Sequence, residues 1–169
     1  LSWLQIIVAA VVIAFVLNNF VIANSRIPTG SMENTIMTGD RVIGSRLSYK
    51  FHEPERGDIA IFHFPDDPTG KTLYVKRIIG LPGETVDIVD SQVYINGEPL
   101  DEPYIREPMD PEEPMHFEVP EGCYFMMGDN RNYSSDARYW HNHYVAEDQI
   151  IAKVLFRYYP FSKISWLDE

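Results

Sequence analysis

The first 23 positions, LSWLQIIVAAVVIAFVLNNFVIA, hold no charged residue, and from Asn24 onward the pattern breaks into short apolar–polar runs. As a helix the leading run would extend ~35 Å at 1.5 Å per residue, enough to cross a hydrocarbon layer of roughly 30 Å. A secretory leader would show a shorter apolar region of about 7–15 residues, although Val21-Ile22-Ala23 has the form of a cleavage site. A buried core helix is a third alternative, but 23 uncharged positions are long for that role. The pattern therefore predicts a membrane anchor over residues 1–23 and a separate domain over residues 24–169. The chain opens at Leu1 without a methionine, so residues upstream are expected. Without that flank, charge does not set the orientation across the bilayer.

The runs after the anchor read as strands. GDIAIFHF (57–64), TLYVKRII (72–79), TVDIVD (85–90) and QVYING (92–97) are rich in β-branched and aromatic residues and bounded by turn formers. Residues 86–100, VDIVDSQVYINGEPL, predict a hairpin with Asp90-Ser91 in its turn and Asn96-Gly97 ending the second strand. MHFEV, CYFMMGD and IIAKVLFRYY complete the strand set, with no long amphipathic helix outside the anchor and no internal repeat. The expected fold is mainly β: a mostly antiparallel β domain on one N-terminal membrane helix.

Charge narrows the function classes. A formal net charge of -11 over 169 residues argues against a nucleic-acid partner, which would call for a basic footprint. Acidic and proline residues concentrate in REPMDPEEPMHFE, which reads as a solvated loop, and the Pro-rich acidic piece over residues 98–114 is the one expected long loop. The single Cys123 excludes an intrachain disulfide framework and a Cys-rich zinc site; its setting in CYFMM predicts a buried structural thiol.

Candidate chemistry begins at Ser31, in IPTGSM. Pro28 sets its own φ, biases Ile27 towards extended backbone, and with Gly30 can present a hydroxyl on a tight turn near backbone N–H groups. A serine hydroxyl is a weak nucleophile and needs a base. The five histidines, His52, His63, His116, His141 and His143, are scattered, no G-x-S-x-G elbow accompanies them, and His141-Asn142-His143 lacks the companions of a catalytic zinc set. Lys76 is the better base. Strand alternation puts it on one face with Tyr74 and Ile78 while Arg77 points away, and a lysine desolvated on an apolar face loses basicity. The third stretch, GDNRNYSSDAR, combines turn formers, balanced charges and hydroxyls that can build a rigid shell around an amine.

Together, PTGSM, YVKRIIGLPGE and GDNRNYSSDAR, in this order after one apolar span, resemble the bacterial type I signal peptidases, particularly the shorter single-span members. The resemblance covers nearly the whole chain. It implies a membrane-bound serine endopeptidase that removes N-terminal signal peptides from exported preproteins, cutting after a small residue. Ser31 would be the nucleophile and Lys76 the general base. Thr29 stands where the family has an oxyanion-binding serine, and the Ser31 N–H would be the second donor. Ser134 falls at the position that holds the lysine amine, and Asp129, Asp136 and Arg138 at supporting ion-pair positions. The implied fold has a groove with two shallow pockets for small side chains. No metal or organic cofactor is implied. The implied partners are signal peptides, the lipid bilayer and a nearby secretion translocon, and the implied location is the bacterial cell membrane with the domain on its extracytoplasmic side. Two other classes share features: a self-cleaving Ser–Lys repressor, opposed by the apolar span and the acidic charge, and a catalytically silent tethered module, opposed by the presence of both Ser31 and Lys76.

Overall fold

A computed structural model of the chain describes residues 2–167; Leu1, at the head of the expected anchor, and residues 168–169 lie outside the described residues. Helix α1 (Trp3–Val16) begins at Ser2, whose hydroxyl accepts from the Gln5 N–H while the Gln5 side chain accepts from the Ser2 N–H. This reciprocal capping satisfies two of the free N–H groups at the helix start. The helix continues through a π-helical stretch, Leu17–Val21, giving 19 residues long and apolar enough to cross a membrane, with none of them buried. The expected anchor to residue 23 ends two residues too late. Ile22 and Ala23 already belong to strand β1 (Ile22–Arg26), where Ala23 sits opposite Gly44 and is buried. An apolar run does not by itself mark where exposed apolar helix gives way to core-facing strand.

The remaining elements are β2 (Arg41–Ser45), the one-turn α2 (Ser48–Phe51), β3 (Ile59–His63), β4 (Leu73–Gly80), β5 (Thr85–Val89), β6 (Gln92–Ile95), β7 (Glu98–Pro99), β8 (Met115–Glu118), β9 (Cys123–Met127), β10 (Val145–Ala146), β11 (Ile150–Tyr159) and β12 (Ser165–Trp166). One sheet runs β1-β2-β11-β3-β4-β9-β10, with β12 added on β11; a second runs β7-β6-β5-β8. The pairs are antiparallel, as the alternating runs predicted. Asp90 and Ser91 take φ of 49° and 65°, and Asn96 and Gly97 take 50° and 84°. Paired left-handed positions are those of a two-residue hairpin turn whose twist suits the flanking strands.

Strand β3 shows how the core divides. Ala60 and Phe62 join a cluster with Ile78, Phe125 and Met126, while Ile59 and Ile61 join another with Ile27, Met32, Ile36 and Val154. Both faces of β3 and β4 are thus covered, which explains why every residue from Lys76 to Gly80 is buried rather than alternate ones. Cys123, expected to be buried, is only half-buried at the head of β9, and partial desolvation pushes its thiol pKa up.

The charged members of the acidic run, Arg106, Glu107, Asp110, Glu112 and Glu113, are exposed, as expected of a solvated loop, but the wider segment over residues 98–114 is also tied down. Met109 is buried and lies against the guanidinium groups of Arg131 and Arg138. Glu102 makes a two-pronged contact with Arg131, at 2.8 and 2.5 Å, with both side chains nearly excluded from water. Asn132 and Tyr139 bind Glu107 and Glu112. The segment is a strap across GDNRNYSSDAR, a long-range pairing that composition does not reveal.

Candidate active site

The turn carrying Ser31 is clamped at its base and filled from inside. Ile27 N–H donates to the Asp40 carbonyl and Gly39 N–H to the Ile27 carbonyl, closing a loop whose apolar members, Met32 and Ile36, are buried. Asp40 accepts from Met37 N–H and pairs with Arg157 at 3.1 Å. Rigidity of this kind comes from burial and paired backbone rather than from Pro28 and Gly30 alone.

Lys76 extends from the middle of β4, opposite Ala60. Its Nζ lies 2.5 Å from Ser31 Oγ, with Lys76 4% and Ser31 7% exposed. Burial is the largest influence on the amine and pushes its pKa down to about 8; Asp136 and Asp129 oppose that fall and Arg138 adds to it. The two carboxylates hold it back only partly because each already has its own cation. Asp129 accepts from Arg77 at 2.8 and 2.6 Å and from the Thr35 hydroxyl, and Arg77 lies over the Tyr104 ring at 4.0 Å. Asp136 pairs with Arg138 at 2.8 and 3.0 Å and also accepts from Gly128 N–H. Arg77 does point away from Lys76, as alternation required, but into this buried pair rather than towards solvent.

Gly128 joins the two halves of the site. A methyl group there would collide with the Ser31 carbonyl and the Ser134 hydroxyl, so only glycine allows the approach. Ser134 is thereby set beside the Ser31 backbone. The resemblance implied that Ser134 holds the Lys76 amine; its buried Oγ instead has no hydrogen-bond partner among the described residues. Thr29 is exposed on the rim, its Oγ1 3.4 Å from Ser31 Oγ, longer than an ordinary O–H···O bond and so not committed to it.

Outside this cluster, His143 Nδ1 meets the Ala137 carbonyl at 2.6 Å and its ring packs edge-on to Phe117, while His116 pairs with Asp87 on the second sheet. Among the described residues no group of three or more His, Cys, Asp or Glu side chains is disposed to hold a metal ion.

Ser31 and Lys76 open onto a cleft of about 480 Å³ whose walls include Ser25, Thr29, Tyr74, Val75 and Tyr133. One wall is β1, an edge strand of its sheet; the other is the start of β4, whose pairing with β9 begins only at Arg77. The cleft is therefore flanked by two strand edges with free backbone groups. Sequence inspection placed Arg131 only among the balanced charges of the third motif and left Glu102 and Asn130 without individual roles. Asn130 and Arg131 stood inside the third motif, which was the available signal; Glu102 carried none.

The family described as "Signal peptidase, peptidase S26" matches residues 1–159. A probable signal peptidase I-1 of Synechocystis sp. is 40% identical over 165 residues, covering 95% of this chain and 83% of that protein. A signal peptidase IB of Staphylococcus aureus is 32% identical over 183 residues, covering 98% and 93%. Among solved structures, a signal peptidase I from Enterococcus faecalis V583 is 35% identical with a TM-score of 0.51, over 60% of this chain and 97% of that one. The chain belongs to the signal peptidase family, peptidase S26.

Proposed function

We propose that this member of the family hydrolyses signal peptides from preproteins by acyl transfer from a Ser31–Lys76 dyad. The observation that carries the reading is the 2.5 Å contact between a buried Lys76 amine and the Ser31 hydroxyl, with the amine's pKa pushed down to about 8. A neutral amine accepts the Ser31 proton as Oγ bonds to the substrate carbonyl carbon. The resulting ammonium returns the proton to the leaving amine, and a water deprotonated by the same amine releases the acyl group. An ammonium has three N–H donors, and the unused Ser134 hydroxyl across Gly128 is a buried acceptor available to one of them. The ion pairs of Asp129 and of Asp136 with Arg138 stiffen the frame without cancelling the desolvation of Lys76. Thr29 Oγ1 and the Ser31 N–H are the oxyanion donors.

The substrate enters as an extended strand between β1 and the free edge of β4, its backbone completing their unpaired groups. The apolar helix anchors the domain in the bilayer, making the chain from Ile22 onward an extracytoplasmic unit near the translocon that delivers preproteins. β1 starts directly where the helix ends, so the nucleophile is at most ~33–36 Å of extended chain from Val21. Attachment to the surface that holds the substrate raises its effective concentration.

The test is cleavage of a purified preprotein by the full chain in proteoliposomes, with the new N-terminus read by mass. Ser31→Ala and Lys76→Ala should each abolish cleavage while circular dichroism remains unchanged. Near-normal turnover by either folded variant overturns the mechanism.

A further inference from the structure

Asn130 reaches the nucleophile's turn twice. Its side-chain Nδ2 donates to the Gly30 carbonyl at 2.9 Å, and its backbone N–H donates to the Ser31 carbonyl at 3.0 Å. The residue is 2% exposed, and its Oδ1 is buried without a partner among the described residues. A leucine of similar size would fill the space without stranding a buried oxygen. What distinguishes the amide at this place is the donor it turns towards Gly30.

That carbonyl belongs to the peptide unit whose other end is the Ser31 N–H. The unit is planar, and its bond is trans, since Tyr159–Pro160 is the cis bond recorded among the described residues. In a trans peptide the C=O and the N–H point in opposite directions. Pulling the Gly30 oxygen towards Asn130 therefore swings the Ser31 N–H the other way. Among the described residues this N–H donates to no protein acceptor, although Ser31 itself lines the cleft. The Glu33 N–H also donates to the Gly30 oxygen, at 3.1 Å, from within the turn. Asn130 supplies the tie from the third motif, so the turn's peptide is referenced to the frame that surrounds Lys76.

We infer that Asn130 is a positioning residue that aims the Ser31 N–H at the oxyanion by holding the Gly30 carbonyl. The inference rests on the acyl-transfer reading of the site. The N–H touches the reacting oxygen; Asn130 acts through it and touches no substrate atom. Loss of one direct oxyanion donor costs about 10²–10³ in kcat. Asn130 acts one step removed and Glu33 still holds the same oxygen, so removing its amide should cost about 10-fold.

The experiment uses the full chain in detergent micelles, comparing wild type with Asn130→Leu. Preprotein cleavage should show kcat about 10-fold lower with KM unchanged and the acid limb of the pH profile unmoved. A peptide aldehyde, which forms a tetrahedral oxyanion on Ser31, should bind about 10-fold more weakly, whereas the matching peptide carboxamide should bind equally to both proteins. A purely structural role would move all of these together. Wild-type kcat and aldehyde affinity in Asn130→Leu overturn the inference. If that variant does not fold, Asn130→Asp keeps the shape and the backbone N–H but sets an acceptor against the Gly30 oxygen; its kcat and aldehyde affinity must fall at least as far, at a pH above the Lys76 limb. Independently of any variant, the Ser31 amide proton of the wild type should shift downfield on aldehyde binding, and an unmoved resonance overturns the inference. A wild type that cleaves no preprotein refutes the proposed function instead, so the two failures are distinguishable.

Discussion

Replacing Lys76 by methionine should inactivate the protein and make it more stable at neutral pH. The amine's pKa falls from 10.5 to about 8, with desolvation the largest cause. At 1.36 kcal/mol per pKa unit this corresponds to about 3 kcal/mol by which the site, through burial net of its neighbouring charges, disfavours the charged form. Below pH 8 the amine is protonated in both folded and unfolded chains, and that penalty is fully present. Between pH 8 and 10.5 the unfolded chain binds the proton and the folded chain does not, so folding stability rises with pH. Above 10.5 both are neutral and the penalty is gone. Methionine has a similar length and no charge. It removes the contact of a charged donor with Ser31 Oγ, worth about 2 kcal/mol, so the net gain at pH 7 should be about 1 kcal/mol. The assay is urea denaturation of both proteins in micelles at several pH values from 7 to 10.5, followed by the fluorescence of buried Trp140. The stability gap should favour Lys76→Met at pH 7 and shift by about 3 kcal/mol in favour of the wild type by pH 10.5. Comparing the two proteins cancels tyrosines and other groups that titrate in the same range. A gap independent of pH refutes the claim that Lys76 is held desolvated in the folded state.

Thr29→Val should lower kcat by about 10²–10³ with KM nearly unchanged, and Thr29→Ser should stay active; a valine variant with wild-type kcat removes Thr29 from the oxyanion hole. The profile of kcat/KM against pH should rise through a limb near 8, where the Lys76 amine loses its proton, and a limb near 10.4 instead would mean that the base is an ordinary lysine. Glu102→Gln leaves the Arg131 guanidinium buried without its countercharge, which should cost about 3 kcal/mol and lower Tm by roughly 6–12 °C; a change within about 0.5 kcal/mol would return the 98–114 segment to a solvated loop. Deleting residues 2–21 should leave cleavage of a soluble peptide intact and weaken cleavage of a liposome-bound preprotein, and equal losses on both would make the helix structural.

Local signals are those the sequence decides alone. The leading apolar run needs no partner to be recognised, because its length and lack of charge can be read directly along the chain. The strands over residues 57–97 announce themselves by alternation and by Asp90-Ser91 and Asn96-Gly97, whose backbone requirements are met within the turn itself. Ser31 and Lys76 were legible as residue types, a hydroxyl on a tight turn and a lysine on an apolar strand face, and the order of three motifs joined them to a family. What sequence could not decide is anything that depends on two distant segments meeting. Strands β1 and β2 were unread because Ile22 and Ala23 look like membrane helix until Gly44 pairs with them. The strapping of the 98–114 loop went unread because Arg131, which neutralises Glu102, lies 29 positions away. Lys76 loses its ordinary basicity only when Ser31, 45 positions away, and the two ion pairs close around it and exclude water. Desolvation is a property of the surrounding volume, and that volume is filled by side chains from both core clusters. Alternation along β4 could place the amine on a face, but only the packed structure could bury it.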